Sequence, residues 1–164
     1  MMSETDPRSL PLPELRAVRA GLQHEDDVVS YVRRLTQARL DLVRAEMARR
    51  AAGDGGLDIS GELPTILGAH LTGGPARPPR PADDFSDHPL ALALETLCDE
   101  CGSTDLPSMS EGELGDYAAR LLAFEQDRSH ERKELFARID ALSAELVRRY
   151  RDGEADVDGL LAQD

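Results

Sequence analysis

A segment of this chain occurs twice, 99 positions apart. Residues 9–50 align with residues 108–149 without a gap, and 14 of the 42 positions are identical. Two copies of one segment restrict the fold to architectures in which equivalent elements stand in equivalent surroundings. The identities include Glu14/Glu113, Ser30/Ser129, Arg33/Arg132, Arg39/Arg138, Asp41/Asp140, Glu46/Glu145, Arg49/Arg148 and Arg50/Arg149. A core on its own repeats apolar residues and lets polar ones drift. Repeated Ser, Arg and Asp at helical spacing point to two helices that present the same hydrogen-bonding stripe.

Both copies carry a helical apolar period. Val29, Val32, Thr36, Leu40, Val43 and Met47 follow in steps of three and four, a heptad-like seam. Leu121, Phe124, Leu135, Ile139, Leu142 and Leu146 occupy the same arc in the second copy. Pro13 suits a helix start, and the Gly-rich run at 53–56 a helix end. Ser110 and Glu113 form a capping box, and Asp152-Gly153 closes the second period. The expected layout is a disordered N-terminus (1–12), a first coiled-coil helix (13–52), a flexible connection (53–109) and a second coiled-coil helix (110–150). An acidic tail (151–164) follows. Gly21 is a weak point that can detach residues 13–21. The connection is rich in Gly and Pro, with a docking turn at 63–67 and a short helix near 90–98 behind Pro89. The fold class is therefore all-α: two long antiparallel helices in a coiled-coil hairpin, with short helical segments and a long Gly/Pro-rich connection.

The first helix has a second apolar face, formed by Val28, Tyr31, Leu35, Ala38, Leu42 and Ala45. Its equivalents in the second helix are mostly polar or small. Either the segment at 90–97 folds back over this face, or the face receives a partner.

Aromatic residues make up 4% of the chain and Trp is absent, which argues against a large globular core. The net charge of −13 argues against direct binding to duplex DNA, which is held through Lys and Arg on phosphates. It suits a partner with a basic surface. Lys133 is the sole Lys, so Arg abundance reflects a GC-rich genome and is not a signal in itself. No signal peptide or membrane-spanning run is legible, so the expected location is the cytoplasm with no membrane contact.

The repeated polar residues are Asp26, Ser30, Arg33, Gln37 and Asp41 in the first helix, and Glu125, Ser129, Arg132, Phe136 and Asp140 in the second. At offsets of 0, 4, 7, 11 and 15 they fall within an arc of about 80°, along roughly 22 Å of helix. Arg offers a planar fork to guanine O6 and N7 or to phosphate, and it stacks on bases. Asp accepts from the N1 and N2 hydrogens of guanine, and Ser serves phosphate or base. A pair of such helices suits a two-fold guanine dinucleotide. The plainer alternative is salt bridging along a solvated face, Asp26 or Ser30 to Arg33 and Asp41 beside Arg44 or Arg34.

The spacing acid-xxx-Ser-xx-Arg-xxx-Gln-xxx-Asp, present twice, resembles the signature of RsiG-type anti-sigma factors of sporulating actinobacteria. The resemblance extends to Glu113-Leu114, Arg138-Ile139-Asp140 and Ala144-Glu145-Leu146. It implies an antiparallel coiled coil that binds cyclic di-GMP as an intercalated dimer, two molecules per chain. In that state it implies sequestration of a sigma factor of the WhiG/flagellar type. By position it assigns Asp26, Ser30, Arg33, Gln37, Asp41, Glu125, Ser129, Arg132 and Asp140 to the ligand. The chain departs from the pattern twice. Asp26 is one methylene shorter than the motif's Glu, and Phe136 replaces Gln, which puts the equivalence of the two half-sites in question.

Two further readings stand beside this one. The hairpin is a helical adaptor without a ligand, or Cys98 and Cys101 form a zinc- or thiol-switched anti-sigma factor. His24, His70, His88 and His130 stand at no tight ligand spacing, and two cysteines make no disulfide framework. No catalytic triad, paired-carboxylate site or phosphate loop is legible, so an enzyme is not expected.

Overall fold

The computed structural model describes residues 6–53 and 84–153. These residues form helices α1 (Leu12–Ala51), α2 (Pro89–Glu100) and α3 (Glu111–Arg151), with 3₁₀ turns at Pro7–Ser9 and Leu106–Ser108. The expected docking turn at 63–67, most of the expected connection, residues 1–5 and the tail beyond 153 lie outside the described residues.

Local chemistry sets the helix ends. The Ser110 amide donates to Glu113 Oε2 at 2.7 Å and the Glu113 amide to Ser110 Oγ at 3.2 Å, a closed capping box ahead of α3. Pro89 opens α2, and the Leu90 amide donates to Nδ1 of the capping His88 at 3.2 Å. Gly102 stops α2 at φ 69°, a left-handed conformation that glycine adopts without a Cβ penalty. Gly21 does not break α1. An interior glycine costs about 1 kcal/mol. Leu15 and Leu22 on either side are buried, each worth about 1.5–3 kcal/mol.

The described residues form two compact units. The first combines residues 6–30 with 129–153. There Arg16 donates to Tyr150 Oη, Arg19 Nε donates to Ser143 Oγ at 2.7 Å, and Asp26 meets Arg132. Partner numbers fall as α1 advances, so the helices run antiparallel. Leu15, Leu22, Val28 and Val29 are buried on α1, and Leu135, Ile139 and Leu142 on α3.

The second unit holds residues 31–53 and 84–128. Its core joins Val32, Leu40 and Val43 of α1, Ala91, Leu94 and Leu97 of α2, and Leu114, Tyr117 and Leu121 of α3. Tyr31 and Leu35 pack against this cluster, and the Tyr31 ring meets Phe85 edge-on at 5.7 Å. Of the two fates open to the second apolar face of α1, fold-back of α2 is therefore realised at Tyr31 and Leu35, while Leu42 stays exposed. The seam also ends earlier than its spacing predicts. Thr36 is fully buried, its hydroxyl returned to Val32 O at 2.8 Å, but Met47 is 40% exposed.

The N-terminal region departs from expectation as well. Residues 6–12 are ordered, because α3 holds them. Arg149 donates to Leu10 O at 2.8 Å and to Pro7 O and Arg8 O, each at 3.2 Å. Glu145 receives Arg149 Nε at 2.7 Å and fixes the guanidinium. The second unit repeats the device: Arg50 donates to Leu106 O and Pro107 O at 3.1 Å each, with Nε on Glu46 at 2.7 Å. Leu106 and Pro107 are the 99-residue counterparts of Pro7 and Arg8, and Asp105 of Asp6. Each helix thus ends by clamping the 3₁₀ turn that precedes the other helix. Glu46 and Glu145 are buried, and their pKa values are pulled down to about 2, chiefly by hydrogen bonds from Arg49 and Arg148 and next by those from Arg50 and Arg149. A good share of the repeated polar residues is therefore structural.

Candidate ligand-binding stripe

Both units carry part of the predicted stripe. In the second unit Arg33 and Gln37 lie about one turn apart on α1, opposite Glu125 of α3. Arg33 Nε stands 3.5 Å from Glu125 Oε1, and Gln37 Nε2 donates to the same oxygen at 3.0 Å. The side chains of Arg33 and Glu125 keep 24% and 15% of their surface accessible. Asp41 is half-buried on the same helix. The neighbouring Arg128 guanidinium lies 4.9 Å from the Phe124 ring centroid.

In the first unit the roles are exchanged. Arg132 of α3 meets Asp26 of α1, Nε to Oδ1, at 3.5 Å. Both atoms are buried, and at this separation the contact is an ion pair of loose geometry. Burial raises the Asp26 pKa above the usual carboxylate range, against the opposing pull of Arg132 and a hydrogen bond from Ser30. Phe136, standing where the other helix has Gln37, donates nothing to Asp26. It lies under the Arg132 guanidinium, 4.6 Å from ring centroid to Cζ. Ser30 and Ser129 are half-buried in this unit, and Asp140 is exposed.

The structure thus brings Arg33, Gln37 and Glu125 together, and Asp26, Ser30 and Arg132. Where salt bridging along one helix was the plainer expectation, the pairs of Arg33 and Arg132 cross from helix to helix. The clamp residues and the Phe136–Arg132 stack escaped the sequence reading. The 99-residue identity at Asp6/Asp105 and Arg50/Arg149 was the available signal for the clamps.

Competing features fare differently. A shallow hollow in the first unit is lined by Glu25, Glu131, Glu134, Leu135, Ala137 and Arg138. Its carboxylates disfavour an anionic ligand, and it contains none of the stripe residues. Cys98 is sunk in the core of the second unit, where it accepts from Arg39 at 2.6 Å and from Tyr117 Oη at 3.2 Å. Cys101 is half-buried, 3.4 Å from Arg120 Nη1, and both thiols are free. Among the described residues no group of three or more His, Cys, Asp or Glu is placed to hold a metal ion. No helix of the described residues is long and apolar enough to cross a membrane.

An internally repeated pair of long antiparallel helices, joined in each unit by an acid–arginine pair, defines a class of helical scaffold. The chain belongs to the RsiG-like family, whose model matches residues 2–67 and 100–163. Both long helices fall within the match, whereas most of α2 lies outside it. Membership carries an anti-sigma factor role and a sigma factor as the class of partner, and the family is not known as enzymatic. No curated protein matches the chain.

Proposed function

We propose that this chain is a cyclic di-GMP-dependent anti-sigma factor. Two molecules of the dinucleotide bind through Asp26, Ser30, Arg33, Gln37 and Asp41 of α1 and Glu125, Ser129, Arg132 and Asp140 of α3. The loaded form sequesters a WhiG-type sigma factor and represses late sporulation transcription.

The observation that carries this reading is the reciprocal pairing of motif arginine with motif acid. Each pair holds the two groups that a guanine nucleotide needs: a fork for phosphate or for O6 and N7, and a carboxylate for the N1 and N2 hydrogens. Opening the pairs costs little. Partly exposed ion pairs contribute about 0–1 kcal/mol, whereas each hydrogen bond to a charged group contributes about 1.5–3 kcal/mol. The ligand therefore gains by splitting Arg from acid and engaging both.

The test is thermal unfolding of the purified chain with cyclic di-GMP. At a hundred times the dissociation constant the ligand stabilises a folded chain by about 2.7 kcal/mol, a shift of several degrees. An unchanged midpoint contradicts the proposal. It supports the adaptor reading instead, which draws on the same pairs: each arginine already has a carboxylate beside it and needs no ligand for its charge.

A further inference from the structure

The two motif copies keep an acid at Asp26/Glu125 but differ in chemistry at Gln37/Phe136, and the structure shows what that difference does. Gln37 hydrogen-bonds the acid opposite it, so Glu125 accepts from Gln37 at 3.0 Å beside its ion pair with Arg33. Phe136 makes no such bond. Its ring lies 4.6 Å from the Arg132 guanidinium and remains 39% exposed. A guanidinium over a ring is an electrostatic stack of two flat groups, and a flat group exposed beside it is a surface for a base. Arg132 Nε and Asp26 Oδ1 beside it are buried and face each other at 3.5 Å in a loose ion pair. An aromatic face, a guanidinium plane and a loosely paired donor and acceptor thus meet in one cluster.

We infer that Phe136 is a base-stacking residue, and that the Asp26–Arg132–Phe136 cluster takes a purine base by stacking where the Arg33–Gln37–Glu125 cluster takes one by hydrogen bonds. The inference rests on the cyclic di-GMP reading and deepens it. It assigns a ligand role to Phe136, where the repeat loses the amide of Gln37. Asp26 supplies edge recognition, accepting from the guanine N1 and N2 hydrogens. Phe136 supplies affinity without edge recognition, since every base has a π-face. The first cluster then tolerates a change of purine better at Phe136 than the second does at Gln37.

The chain contains no Trp, so Phe136→Trp introduces a single indole whose emission reports directly on the platform. A stacked guanine quenches indole emission. The expected result is saturable quenching by cyclic di-GMP, with affinity within about three-fold of the unaltered chain because the larger ring keeps the π-face. Phe136→Ala is expected to weaken binding by about ten-fold or more, the loss typical of one base–aromatic stack. Its helicity is expected to stay unchanged, because the residue is exposed. Ligand binding to the unaltered chain, together with a Phe136→Ala affinity within two-fold, overturns this inference alone. So does unquenched emission of Phe136→Trp at saturation. No binding to the unaltered chain overturns the functional reading and this inference with it.

Discussion

Arg33 on α1 and Glu125 on α3 form an ion pair with Nε and Oε1 3.5 Å apart. Moving each residue by 99 positions gives Arg132 and Asp26 with their helices exchanged, and that pair is again 3.5 Å apart. Internal repetition in the sequence thus becomes repetition of a contact. Each helix supplies the arginine of one pair and the acid of the other.

Replacing either arginine should separate binding from folding. Arg33→Ala and Arg132→Ala each remove a partly exposed pair, so the cost in stability is about 1 kcal/mol or less. Each removes charge-assisted bonds to the nucleotide, and affinity should fall by at least about ten-fold. Circular dichroism and calorimetry on the same samples check both outcomes. Near wild-type affinity in both variants contradicts the assignment of the stripe.

The clamps should behave in the opposite way. Arg149→Ala strips three backbone carbonyls of a donor and leaves Glu145 buried beside Arg148 alone. A loss of about 2 kcal/mol is expected in denaturant unfolding, with ligand contacts untouched. Arg149→Lys should not rescue it, because an ammonium cannot span the carboxylate and the three carbonyls as a fork does. A stability equal to that of the unaltered chain contradicts the structural role given to the repeat.

The same clamps set the response to acid. Glu46 and Glu145 sit at about 2, below their ordinary 4.5, so their contribution is present above about pH 4.5. It is lost as pH falls from there toward 2. Asp26, raised by burial, works in the other sense: its contribution is present at low pH and lost as pH rises through its folded value. Two lowered groups outweigh one raised group, so the melting temperature should fall between pH 4.5 and 2. The double variant Glu46→Gln, Glu145→Gln should flatten that slope. A slope that persists unchanged contradicts the attribution.

The long helices were legible because their signals are local and redundant. Heptad steps at Val29, Val32, Thr36, Leu40 and Val43, the capping box at Ser110 and Glu113, and the glycines that end each period all point one way. The stripe was legible as a face, since helical phase follows from spacing. Its pairing was not. Whether Arg33 meets an acid on its own helix or Glu125 depends on the offset between the helices, which no single-helix pattern contains. The order at residues 6–12 was missed for a similar reason. The segment is too short to fold by itself and is held by Arg149, which lies 139 positions beyond Leu10. Period alone puts Met47 in the seam, yet it is 40% exposed, because spacing along one helix does not say where the other helix covers it.

The cysteines should differ in reactivity. Cys98 is 2% exposed and holds hydrogen bonds from Arg39 and Tyr117, whereas Cys101 is half-buried. A thiol reagent applied to the native chain should modify Cys101 first and reach Cys98 only on unfolding. Equal rates at both thiols contradict the packing of α2.

The central claim is tested most directly by titrating cyclic di-GMP into the chain alone and into its mixture with a WhiG-type sigma factor, by calorimetry. Linkage requires that a ligand which tightens sigma binding be itself tightened by sigma. The account predicts saturable heat in the mixture with a dissociation constant at least about five-fold lower than for the chain alone, the low end of typical allosteric coupling. Absence of heat in both titrations, with the chain folded, contradicts it.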